Sequence, residues 1–166
     1  MARTAETTET LVSWLNDAYG LEHNLIQVLE HRVKDVKGHP DMEAKIRQHL
    51  EQTRRHADLV KGCIESLGAS TSSLKSGIGN VMGALQGRAT EIAKDEMVKN
   101  ALTDYASEQF EIASYRSLIA AAEALGENGI ADICRQILRD EEDMAQWLNN
   151  HIPTVTREYL AQQATA

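Results

Sequence analysis

Glu22 interrupts an apolar helical stripe. In the first long segment Leu11, Leu15 and Ala18 lead to Glu22 and then to Leu25 and Leu29, at spacings of four and three. Such spacing lines one face of a helix, so this carboxylate is expected among core residues. A charge there is costly unless something pairs it. Three further segments repeat the pattern. One reads Ile46, His49, Thr53, His56, Val60, Cys63, Leu67; the next reads Ala101, Tyr105, Glu108, Ile112, Tyr115, Ile119, Ala122; the last reads Ile130, Cys134, Ile137, Glu141, Met144, Leu148. Carboxylates and imidazoles turned inward by four helices form a donor set for iron or manganese, and two such ions held close together need carboxylates to offset their charge.

A two-metal bundle site takes one Glu from each of two helices and a Glu-x-x-His pair from each of the other two. Glu22 fits the first helix, Glu108 the third (with Glu111 one turn on), and Glu141 the fourth. The second helix offers His56, with His49 seven residues earlier on the same stripe. Both Glu-x-x-His pairs are broken: Thr53 stands three before His56, and Met144 three after Glu141. Gln52 is neutral, and Glu51 faces another side of its helix. The competing arrangement is a buried hydrogen-bonded cluster, with His49 or His56 as the cation beside Glu22, Glu108 or Glu141. Other chemistries find less support. Tyr19, Tyr105 and Tyr115 fit a core, as do Met82, Met97 and Met144. The glycines near Gly77 lack the Gly-Lys-Ser/Thr that a phosphate loop requires.

The elements that must position these groups are helical. The chain has 166 residues, 42% of them hydrophobic, and only two prolines. That length suits one domain, residues 1–166. No alternating strand pattern or Asn-Gly hairpin signal is present, so the class is all-α. The first helix is expected from about Thr7 to Val36, closed by Lys37–Pro40. The second runs from an Asp41 cap to Gly68. Residues 68–87 hold five of the ten glycines and a serine cluster; Leu74, Ile78, Val81, Met82 and Leu85 suit one short helix there. A third helix spans about Thr90 to Leu125, and a fourth begins near Asn128 and stops before Pro153. The tail from Thr154 suits a last short helix. A long crossover between the second and third helices lets them run parallel, giving an up-down-down-up, ferritin-like four-helix bundle.

Composition narrows the partners. The net charge is −8, which opposes binding to nucleic acid or to an anionic membrane surface. No segment has the run of apolar residues that a membrane span needs, and the N-terminal MARTAETTET lacks a signal-peptide core. Cys63 and Cys134 have no metal-type spacing and fall on core stripes. A cytoplasmic location and a homodimer are the default expectations.

Four stretches carry a family resemblance: LNDAYGLEHNL from Leu15, RQHLEQTRRH from Arg47, SEQFEIASYRSLIAAA from Ser107, and ILRDEEDMAQWLNNHIP from Ile137. Together they resemble the YciE/YciF family of bacterial stress proteins, in the same order over nearly the whole chain. SEQFEIASY and WLNNHIP lie closer to YciE. The resemblance implies a ferritin-like bundle, a role in bacterial stress and a di-metal centre. By position it implicates Glu22, His49, Glu108, Glu111 and Glu141. The family carries Glu where this chain has Gln52, and often Gln where it has His56, so His56 takes over a ligand role. The expected function is a stress protein binding iron or manganese for iron or peroxide handling. The alternative is a non-enzymatic helical interaction protein with a metal-free polar core.

Overall fold

A computed structural model of the chain describes residues 4–36, 39–71 and 95–165. These form four helices: α1 Ala5–Asp35, α2 Pro40–Ser66, α3 Glu96–Ala124 and α4 Asn128–Ala164. The expected short helix around Leu74–Leu85 and the Thr90 start of the third helix lie outside the described residues. No helix among the described residues is long and apolar enough to cross a membrane.

Local signals explain the helix ends. Thr4, one turn earlier than expected, caps α1 in a reciprocal box with Thr7, which satisfies backbone N–H groups that have no partner inside the helix. Pro40 is the first residue of α2, where its missing N–H costs nothing. Gly68 and Gly126 follow α2 and α3 with φ of 74° and 76°. A side chain is strained in that left-handed region, and glycine is not.

α4 runs on through Pro153 to Ala164. The tail is helical, as expected, but as a continuation of α4 rather than a separate helix. Proline removes one intrahelical hydrogen bond, the one that the carbonyl of residue 149 would accept. Asn149 is exposed, so water can serve that carbonyl. Beyond the proline, Val155 is buried against Leu29, Val33, Met42, Ile46 and Ala101, and this burial holds the extension in line.

Two apolar clusters fix the topology. One joins Leu11 and Leu15 of α1 to Val60 and Ile64 of α2, Leu118 and Ala122 of α3, and Ile130 and Cys134 of α4. The other joins Leu29 and Val33 to Met42 and Ile46, Ala101 and Val155. The start of α1 therefore lies with the end of α2, the end of α3 and the start of α4. This is the up-down-down-up order, with α2 parallel to α3. The helices pack as the stripes predict, and between the two apolar clusters lies a polar layer.

Candidate metal centre

Every inward polar residue named from the sequence reaches this layer. Glu22, His49, His56, Glu108, Glu111 and Glu141 are each no more than 3% exposed. Five of them fall into two groups that share Glu141. Glu22, His56 and Glu141 form one; His49, Glu108 and Glu141 form the other. Within each group the facing ligand atoms lie within 4.8 Å of one another. Glu111 belongs to neither group, yet its carboxyl is buried and feels the charges of Glu141, Glu22 and Glu108.

The two halves differ in how the imidazole is presented. His56 Nδ1 lies 2.8 Å from Glu141 Oε1 and 3.7 Å from Glu22 Oε2, while its Nε2 lies 3.0 Å from Asp140 Oδ2. His49 instead turns Nε2 inward, 3.2 Å from Glu108 Oε1 and 3.6 Å from Glu141 Oε2. Both imidazoles thus come from α2, two turns apart on one face. The second imidazole that a Glu-x-x-His motif would take from α4 is supplied from α2 instead. The Thr53 hydroxyl donates to the His49 carbonyl, and Thr53 brings no carboxylate to the layer.

Electrostatics separates the two rings as well. Burial alone would lower the pKa of His56, but Glu141 and Glu22 outweigh it and raise it to about 10. Burial wins at His49 and lowers its pKa, so that ring is neutral. The carboxyls move the other way. Burial raises Glu141 to about 7 and Glu108 to about 8, with Glu111 well above its ordinary value and Glu22 also raised. Around the one cationic imidazole, protons held by Glu108 and Glu141 offset part of the carboxylate charge near neutral pH.

Two outer contacts aim the inner groups. Tyr115 donates its hydroxyl to Glu22 Oε1, which leaves Glu22 Oε2 as the inward oxygen. Asp140 holds His56 and is itself held by Arg55, whose guanidinium lies 3.0 Å from the same Oδ2. A carboxylate behind an imidazole fixes the ring and strengthens it as a ligand. Sequence reasoning missed Asp140, which lies off the apolar stripe. Its signal was the Asp-Glu pair on α4, where the helix turns successive side chains to different sides.

The donor set fits divalent metal. Among the described residues, eight buried side-chain atoms have no hydrogen-bond partner: Glu22 Oε2, His49 Nδ1, His56 Nδ1, Glu108 Oε2, both oxygens of Glu111 and both of Glu141. All belong to this layer. His56 Nδ1 lies close to Glu141 without the alignment of a hydrogen bond. Buried polar atoms left unsatisfied cost about 1–3 kcal/mol each. Four ionised carboxylates also match the charge of two divalent cations, whose ligands must be deprotonated.

Comparison with known proteins agrees with the architecture. A structure from Xanthomonas campestris pv. campestris is similar at 32% identity and a TM-score of 0.80, covering 95% of this chain and 99% of that one. The Escherichia coli stress protein YciF is similar at 19% identity and a TM-score of 0.80, over 93% and 99% of the two chains. A dodecameric thioferritin, the bacterioferritin-related protein from Bacteroides fragilis, is similar at 20% identity and a TM-score of 0.73, over 93% and 90%. The last two likenesses concern the fold. Residues 6–161 match the family described as "Domain of unknown function (DUF892)", and the chain belongs to that family.

Proposed function

We propose that the chain is a ferritin-like bacterial stress protein that holds two divalent iron or manganese ions in its polar layer for iron or peroxide handling. The supporting observation is the pair of three-residue groups meeting at Glu141, each of whose members carries a buried atom with no hydrogen-bond partner. Glu22 and His56 would hold one ion, His49 and Glu108 the other, with Glu141 between them and Glu111 alongside. Two ferrous ions would supply the two electrons that take one peroxide and two protons to two waters. The protein's part is placement. Asp140 fixes the His56 ring, Tyr115 orients Glu22, and the apolar clusters on either side keep the layer dry, which strengthens every charge interaction within it.

The likeness to YciF supports the stress-family reading, and the SEQFEIASY and WLNNHIP stretches favour a YciE-like member; we further propose that the chain acts in the cytoplasm as a homodimer. The metal-free alternative finds its support in His56, whose contacts with Glu22 and Glu141 form an ion-pair network without metal. Metal analysis of protein purified in air, followed by peroxide consumption with added ferrous ion, separates the two readings. The metal reading expects two ions per chain and ferrous-dependent peroxide loss. Metal-free protein without ferrous oxidation would establish the alternative.

A further inference from the structure

The buried layer needs a way in, and one end of the bundle has a cavity. It measures about 250 Å³ and lies where α1 and α4 end and where α2 and α3 begin. The turns of α4 beyond Pro153 build part of its wall. Among the described residues, four carboxylates line it, from Asp35, Glu96, Asp104 and Glu158, against one guanidinium, that of Arg32. Asp35, Glu96 and Glu158 are exposed, whereas Asn100, Glu108 and Glu111 are buried and Asp104 lies between these extremes.

Beyond the lining, the same face of α3 leads on toward the centre. Asn100, Asp104, Glu108 and Glu111 are spaced four, four and three apart, so these oxygen donors share one helix face. The first two line the cavity. Glu108 is one turn further in, with an unpartnered Oε2. Arg32 stands at the junction. Its Nε donates to both Asp104 oxygens at 3.0 Å, and its Nη1 lies 3.6 Å from Asp35. With two carboxylates in reach, the guanidinium can release Asp104 to an arriving cation and keep Asp35.

We propose that this cavity is the uptake route for divalent cations, which pass from the acidic mouth to Asp104 and then to Glu108 and His49. The inference rests on the metal reading of the buried layer and adds its direction of loading. An acidic mouth raises the local concentration of cations and speeds their arrival, and salt weakens the effect.

Cobalt(II) chloride and stopped-flow absorbance test this. The variant Glu96→Lys with Glu158→Lys changes only exposed mouth residues. It should slow cobalt uptake at least about tenfold at low salt and flatten the salt dependence, while the cobalt bound at equilibrium stays the same. The control Glu65→Lys with Glu123→Lys makes the same charge change at the opposite end of the bundle and should load at the wild-type rate. Cobalt binding with unchanged uptake in the mouth variant, or with equal slowing in the control, overturns the route while the metal site stands. Wild-type protein that takes up no cobalt overturns the site and the route with it.

Discussion

Glu22, His56, Glu111 and Glu141 each stand one turn from a residue of the first apolar cluster, respectively Ala18, Val60, Tyr115 and Ile137. The helices, their packing and their burial are the same on both sides of that step. On one side the side chains fill space and, apart from the Tyr115 hydroxyl that reaches Glu22, need nothing further; even the Cys63 and Cys134 thiols behave so, pushed up by burial to about 11 and about 12. On the other side four carboxyls and two imidazoles meet with eight atoms unpartnered. A single misplaced polar residue would be tolerated by local adjustment. All four helices change character at one level, which concentrates the cost in a layer that a ligand can relieve.

The largest effect should come from that relief. A ligand that binds only the folded state stabilises it by about 2.7 kcal/mol per site at a hundredfold excess over Kd. For a chain of this length that is roughly 5–10 °C per site. Manganous or anaerobic ferrous ion should therefore raise the wild-type melting temperature by roughly 10–20 °C if both halves fill. Glu141→Gln, which alters the residue common to both groups, should lose most of that rise. An unaltered rise would place the metal elsewhere.

One turn away, the comparison predicts the opposite dependence. Ile137 is fully buried in the apolar cluster, and Ile137→Ala should cost about 2–5 kcal/mol through lost burial and a residual cavity. Thermal melts with metal and with chelator should show the same loss. A loss seen only with metal would mean that the two layers are not independent.

Metal-free stability should also depend on pH, with a sign set by the carboxyls. Glu108 at about 8 and Glu141 at about 7 stand above their ordinary 4.5, and Glu22 and Glu111 are shifted the same way. A raised folded-state value favours the protonated form. The contribution is complete below pH 4.5 and disappears as pH rises through 7 and 8. His56, raised from 6.5 to about 10, contributes below 6.5 and loses that contribution toward 10. His49 opposes, because its lowered value gives stability above 6.5 that is lost on acidification. Four carboxyls outweigh one ring, so the metal-free melting temperature should fall from pH 5 to pH 8. With metal the slope should reverse, since metal competes with protons for the same atoms. A flat metal-free profile would show that the carboxyls keep ordinary pKa values.

Much of this was legible in the sequence. Most stripe residues became buried, with Leu67, Tyr105 and Ile119 only partly so, and the glycine-rich interval falls between α2 and α3, which run parallel. What periodicity could not convey is which ring nitrogen faces inward and which half of the centre each imidazole serves, because those depend on side-chain torsions and neighbouring helices. His49 was visible as a stripe residue, but its replacement of an α4 histidine was not. Pro153 misled because a proline signal is local, whereas Val155 is held by contacts from other helices. Asp140 was missed because stripe reasoning looks only inward. Its contribution should be moderate: Asp140→Asn weakens metal binding about tenfold to a hundredfold, with titration by a competing chelator as the measure. Unchanged affinity would leave His56 oriented by packing alone.

The smallest expected change is the most discriminating. In metal-free protein, Glu22→Leu combined with Glu141→Leu extends the apolar cluster by one turn on α1 and α4. Replacing buried charge with packed apolar groups is often neutral or stabilising, by about 1–4 kcal/mol at most. His56 would lose both inward carboxylates yet keep Asp140, and its ring could become neutral. Chemical denaturation in chelator should therefore show stability equal to wild type or slightly higher, while the metal-dependent rise in melting temperature disappears. A large loss in chelator would mean that the polar layer holds the bundle together through its own ion pairs, and the contrast between a filling layer and a binding layer would fail. Equal stability without metal, together with a lost response to it, would show that these carboxylates are retained for a ligand and not for the fold.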